Sequence, residues 1–351
     1  MKKSVKTLLI VVAACAVCGG AVAGMAWHYV MSPLVKTDAP STIQLYPADD
    51  VSAVARKVKE AGCCDVRGFR WLTRRAELSG CYGKDDAFHP FRPGNFEIKP
   101  GDSMRSVWLR LASGAQTPIR LVVGCHRSLD RLAGQLASQL MTDSASLMNA
   151  FSSKSLIDSL GYTAETLPAL FIPDTYEVYW TLTPEKFMAR MKTEHDRFWT
   201  PDRLVQAENI GLTPNEVATL ASIVSEETNK VDERPVVAGL YLNRLSRGIP
   251  LQADPTVKYA VGDPTLRRIL YVHLATPSPY NTYLHQGLPP GPIRMVERSA
   301  LEAVLQPAQH DYLYMCAKED FSGYHNFAVT LAQHNANARR YQAALNARGI
   351  R

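Results

Sequence analysis

The stretch Leu212-Thr213-Pro214-Asn215-Glu216-Val217-Ala218-Thr219-Leu220-Ala221-Ser222-Ile223-Val224-Ser225-Glu226-Glu227-Thr228 opens as a helix. Thr213 can serve as N-cap, Pro214 fits the first helical position, and Glu216 completes a capping box with the threonine. Val217, Leu220, Ala221 and Val224 then recur at the helical apolar period. At about 100° per residue, Glu227 falls beside Leu220, Ile223 and Val224 on the edge of the apolar face, while Glu226 projects to the other side, toward solvent. A carboxylate on a buried helix face loses hydration, and its pKa rises. A carboxyl that stays protonated near neutral pH is what a general acid needs. Most glutamates at a helix edge are solvated or salt-bridged, so position alone does not make Glu227 catalytic.

The 351-residue chain has room for two or three domains, and its formal charge of +6 is spread along the sequence apart from Lys2, Lys3 and Lys6. Nothing in that distribution demands nucleic acid as a partner. Between Lys6 and Lys36 there is no Asp, Glu, Lys or Arg, and Leu8 to Ala23 is wholly Leu, Ile, Val, Ala, Cys and Gly. Roughly 20 apolar residues span a bilayer. Lysines ahead of the span and few charges just after it put the N-terminus in the cytoplasm. The bulk of the chain then lies outside, anchored by a single pass in the inner membrane with a periplasmic or equivalent body. Two rival readings exist: Ala21-Val22-Ala23 as a signal-peptidase site, and Val12-Ala13-Ala14-Cys15 as a loose lipobox with Cys15 lipidated. The apolar run continues past both through Met25, Trp27, Tyr29 and Val30. Aromatic residues at its outer end suit an interfacial belt, which favours an uncleaved anchor. The seven cysteines form no metal pattern. An oxidising compartment allows Cys81 to pair with Cys63 or Cys64, but the odd count outside the span argues against a designed disulfide framework.

The expected fold class is α+β, in three parts: an anchor over residues 1–35, a small module over 40–125 and a larger mixed domain over 126–351. Thr42 to Tyr46 reads as a strand, followed by helices near Asp49 to Ala61 and Val66 to Ala76. A strand at Asn95 to Ile98, a helix at Ser103 to Leu111 and an apolar strand at Pro118 to Val123 complete a βααβ-like unit. In the larger half, helices are expected from Ser128 to Leu140, from Pro184 to Trp199, over the Glu227 stretch, and from Asp232 as N-cap to Leu245 with Gly248 closing it. Phe171 to Tyr176 reads as a Pro-broken loop. Pro250 to Ile293, rich in Pro, Gly, Thr, Asn and Tyr, reads as one long irregular region, the kind that is usually functional. Strand-like runs at Tyr312 to Cys316 and His325 to Val329 precede a terminal helix from Thr330 to Asn346.

The polar residues of this half gather around that region. Asn243 and Arg244 end one helix; Gln252, Asp254, Thr256 and Tyr259 follow, and then Tyr280, Asn281 and Thr282. Such side chains suit a sugar site, with planar groups against ring faces and forked amides or carboxylates on hydroxyls. Asn and Asp beside Pro or Thr also shape turns with no ligand involved. The nucleophile elbow, the paired-histidine zinc helix and the Walker loop are all absent. His325 and His334 have the wrong spacing for one helical metal site, so His325 is a structural or substrate-contacting residue. No metal and no cofactor is expected.

Taken in order, Ala221-Ser222-Ile223-Val224 with Glu227-Thr228, Glu233-Arg234 and Asn243-Arg244-Leu245 form a characteristic series. It continues with Leu251-Gln252, Asp254-Pro255-Thr256-Val257, Tyr259, Tyr280-Asn281-Thr282-Tyr283 and Gly287-Leu288-Pro289-Pro290-Gly291-Pro292-Ile293. This series resembles the MltG-type (YceG-like) endolytic murein transglycosylases. Phe171, Pro173-Asp174-Thr175-Tyr176, His325, Phe327 and His334-Asn335 also match, so the resemblance runs from about Phe91 to Tyr341. The N-terminal module is similar to the LysM-like subdomain of those proteins. The resemblance implies that Glu227 is the essential acid. Ser225 stands where the family often has another glutamate, with Glu226 as a partial replacement, and Asn326 stands where a threonine is usual.

A glycosidase ordinarily needs two carboxylates, and the sequence offers one obvious candidate. A lytic transglycosylase needs one, because the 6-hydroxyl of the N-acetylmuramoyl residue attacks its own anomeric carbon. The expectation is that Glu227 protonates the glycosidic oxygen and then accepts the hydroxyl proton, giving a 1,6-anhydro end. The expected partners are peptidoglycan glycan strands, the membrane and, from the family's role, peptidoglycan synthases of the penicillin-binding class. A non-catalytic glycan-binding scaffold and a hydrolytic muramidase are the alternatives.

Overall fold

The computed structural model describes residues 2–63, 65–79, 90–263, 266 and 268–349. The suggested cysteine pairing falls on Cys81 and on Cys64, outside the described residues. The chain divides into two compact units, residues 1–120 with 177–182, and residues 121–176 with 183–351. The architecture is mixed α+β, with short two-stranded sheets among many helices.

The first unit begins with α1 (Lys2–Met31). Its Lys6–Met31 part is long and apolar enough to cross a membrane, with a mean hydropathy of 2.4. The strand β1 (Ser41–Leu45) pairs antiparallel with β2 (Gly94–Ile98), Ser41 facing Ile98 and Leu45 facing Gly94. Between them run α2 (Val51–Glu60) and α3 (Arg67–Leu78), and after them α4 (Met104–Ser113). Strand alternation turns Ile43 and Leu45 inward, where they meet Val54, Val58, Phe69 and Leu111 in one core. Asp50 and Ser103 cap α2 and α4 by accepting main-chain N–H bonds, and Gly114 closes α4 at φ 70°. The far end of α1 packs against α3 and α4: Val30 is buried, and the Arg67 guanidinium lies 4.2 Å from the Tyr29 ring centre. Gly68 is required there, because a Cβ would sit 2.0 Å from the Tyr29 carbonyl oxygen.

The strand β3 (Ile119–Val123) pairs with β4 (Asp174–Val178). β4 replaces part of the loop expected at Phe171 to Tyr176; the Tyr176 hydroxyl closes the turn on the Ile172 carbonyl at 2.5 Å. The second unit contains α5 (Leu129–Ala137), α6 (Ser144–Phe151), α7 (Lys154–Ser159), α8 (Pro184–Phe198) and α9 (Pro201–Asn209). It continues with α10 (Pro214–Glu227), α11 (Arg234–Ser246), α12 (Asp254–Val261), α13 (Tyr271–Leu274) and α14 (Arg298–Leu305). The antiparallel β5 (Tyr314–Ala317) and β6 (His325–Ala328) and then α15 (Leu331–Ala347) end the chain.

Two expectations change here. The region from Pro250 to Ile293 is not wholly irregular, since Asp254-Pro255 starts α12 and Gly262 ends it at φ 71°. Asp254-Pro255 suits a turn as well as a helix start, and the eight-residue helix that follows is too short for its apolar period to decide between them. The helix α10 forms with the expected capping box, but it has no solvent face: every residue from Val217 to Ser225 is buried. It is a central helix packed against α11 and α14, and a helix enclosed on all sides shows little amphipathic pattern.

Candidate active site

Glu227 is the last residue of α10, at the end of a helix whose dipole disfavours a negative charge. The residue is half-buried and faces a cleft of about 390 Å³. The buried Tyr241 of α11 donates its hydroxyl to Glu227 Oε1 at 2.7 Å. Burial pushes the Glu227 carboxyl up to about 7, the Tyr241 bond pulls against that, and the negative charges of Asp254 and Glu226 add to the rise. With Oε1 occupied as an acceptor, the acidic proton belongs on Oε2. A carboxyl with that value can deliver a proton near neutral pH.

Asp254 lines the same cleft. It is the first residue of α12, the helix end that favours an anion, and Tyr283 donates its hydroxyl to Asp254 Oδ1 at 2.8 Å. The expectation of a single carboxylate is therefore corrected: two carboxylates, each held by a tyrosine, share the cleft. They lie apart in sequence and meet only because α12 turns back onto α10. Counting carboxylates does not separate transglycosylation from hydrolysis in this chain; the product does.

Several proposed sugar contacts build the cleft from behind. Thr256, Asn281 and Thr282 are fully buried. Thr282 Oγ1 accepts the Ala253 N–H at 3.0 Å and lies 2.8 Å from Thr256 Oγ1, and Asn281 Nδ2 donates to the carbonyls of Leu274 and Thr276. Arg244 is buried, donating to the Pro250 and Leu313 carbonyls and, at 2.7 Å, to Gln252 Oε1. Gln252 sits at φ 50°, in the left-handed region, fixed by that bond and by its N–H on the Thr282 carbonyl. Asn243 points elsewhere, donating to the carbonyls of His310 and Tyr312 beside a different cavity. Tyr259 and Tyr280 pack together with ring centres 4.7 Å apart, and both line a second, larger cleft of about 960 Å³.

Glu226 lines that second cleft. It is not turned to water as the helical phase suggested: Arg127 pairs with it, and Arg294 Nη1 reaches its Oε1 at 2.7 Å. Glu227 and Glu226 therefore open on different clefts, one as an acid near neutrality and the other in a three-charge cluster.

Residues 43–340 match the YceG-like family. The chain belongs to that family. It is similar to the endolytic murein transglycosylase of Bacillus subtilis (strain 168), with 26% identity over 330 residues covering 89% of this chain and 88% of the relative. It is also similar to the endolytic murein transglycosylase of Streptococcus pneumoniae serotype 2 (strain D39), at 25% identity over 83% of this chain and 57% of that longer relative. A crystal structure of a yceG-like protein from Listeria monocytogenes shares the fold, with a TM-score of 0.57 and 24% identity over 86% of this chain and 99% of the other.

This YceG-like chain carries two cleft residues that sequence reasoning did not single out, Tyr241 and Tyr314; Tyr283 and His334, which also line the cleft, and Glu233, which bonds to His325 there, stood in the motif series without a role of their own. His334 Nδ1 is buried without a hydrogen-bond partner among the described residues, and burial followed by the Arg244 charge lowers its pKa. A neutral imidazole with an unused nitrogen is suited to a sugar hydroxyl. Tyr241 lies two and three residues before Asn243 and Arg244 on the same helix.

Proposed function

We propose that the chain is a lytic transglycosylase acting on the glycan strands of murein. The observation that carries this reading is Glu227 at the wall of a polar cleft, bonded by Tyr241 and with its carboxyl pushed up to about 7, in a chain of the YceG-like family. Glu227 Oε2–H would protonate the bridging oxygen between an N-acetylmuramoyl and an N-acetylglucosaminyl residue. As the C1–O bond breaks, positive charge grows at C1 and the carboxylate of Asp254 steadies it. The muramoyl 6-hydroxyl then closes on C1 to give a 1,6-anhydro end. In the simplest scheme the carboxylate of Glu227, freed by the first step, takes the hydroxyl proton.

In this reading α1 crosses the inner membrane once, with its N-terminus in the cytoplasm, and keeps the catalytic unit beside new strands as synthases of the penicillin-binding class release them. Internal cutting there would limit strand length. The βααβ order of the first unit supports a LysM-like subdomain over residues 40–125, ahead of a catalytic domain over 126–351. Glu227→Gln tests the reading on purified murein: anhydro ends should disappear while the melting curve stays cooperative. Anhydro ends from the variant at the native rate would remove Glu227 from the mechanism, and reducing ends from the native chain would make it a muramidase.

A further inference from the structure

We propose that Glu233 and His325 form a carboxylate–imidazole pair that takes the proton of the attacking hydroxyl, leaving Glu227 to act as the acid. The proposal rests on the transglycosylase reading and divides its two proton transfers between two residues.

Glu233 precedes α11 and its side chain is only 4% exposed. Its Oε1 accepts the main-chain N–H of His325 at 2.7 Å, and its Oε2 lies 2.9 Å from the same residue's Nδ1. A buried carboxylate is costly unless its oxygens are hydrogen-bonded, and here one residue supplies both bonds. Tethering β6 to the start of α11 needs only the main-chain bond. The second bond does something else: a carboxylate oxygen at this distance accepts, which assigns the donor role to Nδ1 and fixes the orientation of the ring. His325 lines the same cleft as Glu227, which leaves Nε2 as the ring nitrogen available to a substrate. In the neutral ring Nε2 accepts. An acid-backed imidazole with one nitrogen committed is the arrangement that makes histidine a directed base on unrelated folds.

The protons balance. Glu227 gives its proton to the bridging oxygen, the C1–O bond breaks, and the leaving sugar departs with a hydroxyl. The C6 oxygen bonds to C1, and its proton passes to His325 Nε2, where the carboxylate of Glu233 stabilises the imidazolium. One proton then returns from His325 to Glu227 through solvent in the open cleft. No water is consumed and no redox step occurs.

The test compares kcat and KM for anhydro-end formation in the full-length protein carrying His325→Gln, His325→Ala or Glu233→Gln. Glutamine fills much of the site but takes no proton, so His325→Gln should lower kcat by about 100-fold or more with KM little changed. Added imidazole should restore part of the kcat of His325→Ala, which a purely structural loss would not allow. Glu233→Gln should lower kcat by roughly tenfold with the same KM pattern. A His325→Gln kcat within about threefold of native, a change confined to KM, or no rescue of His325→Ala by imidazole would overturn the pair and leave Glu227 as acid and base in turn. Loss of anhydro product in the native protein would sink the transglycosylase reading itself.

Discussion

At the residue scale, the pKa of Glu227 links its place in the structure to its chemistry. The carboxyl rises from 4.5 to about 7 because burial disfavours the charged form, against the Tyr241 bond, with Asp254 and Glu226 adding repulsion. The acid step needs the protonated form, so kcat should fall as pH rises through about 7. Tyr241→Phe removes the one contribution that lowers the value. Its alkaline limb should move to higher pH, and an unmoved or lowered limb in the pH–rate profile would disprove the assignment. Stability follows the same titration. Below 4.5 the folded and unfolded states both hold the proton; above about 7 the folded state must carry the charge in its cleft, so the native chain loses stability across that window. Glu227→Gln escapes this loss. It should match the native chain in acid and exceed it above neutrality by up to about 3 kcal/mol, read from melting curves at several pH values.

At the element scale, local signals and their limits are visible side by side. Thr183-Pro184, Thr200-Pro201 and Thr213-Pro214 each place a threonine N-cap before a proline, and each starts a helix. The first and third fall where the sequence predicts helices, the third from its capping box and apolar period. The second starts α9, where Ala207 is the one buried residue and the period is too weak to read. The start of α10 was legible from its capping box, but the burial of Val217 to Ser225 on all sides was not, because that depends on α11 and α14 arriving from later sequence. The polar residues of the cleft divide in the same way. Thr256, Asn281 and Thr282 were expected as sugar contacts, yet they are buried and their hydrogen bonds go to the segments that hold Asp254 and Tyr283. Thr282→Val should therefore cost about 1–3 kcal/mol, by leaving the buried Ala253 N–H without its acceptor and removing one of the two bonds of the Thr256 hydroxyl, which keeps the Ala253 carbonyl. It should lower kcat through a displaced Asp254; a variant with native Tm and native kcat would show that the bonds do not support the cleft.

At the scale of the whole molecule, α1 has two parts with different surroundings. Leu8 to Val22 carries exposed apolar side chains, whereas Val30 is buried and Tyr29 is held over Gly68. Deleting residues 2–24 should remove membrane association in fractionation and leave the melting temperature nearly unchanged. A deletion through Met31 should also uncover the Gly68 surface and strip Val30 and Tyr29 from the core. The added loss is about 2 kcal/mol, the scale of one buried aliphatic side chain. Equal melting of the two truncated proteins would mean the end of α1 does not support the first unit.

The sequence by itself determined the apolar N-terminal helix, the α+β class, the start of the Glu227 helix and the order of the motif residues. These depend on composition, period and capping, which act over a few neighbouring residues. Tertiary structure alone decided that Glu226 is paired with Arg127 and Arg294, that Asp254 joins Glu227, and that Glu233 backs His325. Each of those outcomes is an electrostatic or hydrogen-bonding contact between segments distant in the chain. Only the packing of α10, α11, α12 and β6 around shared clefts removes the water that would otherwise keep such charges apart.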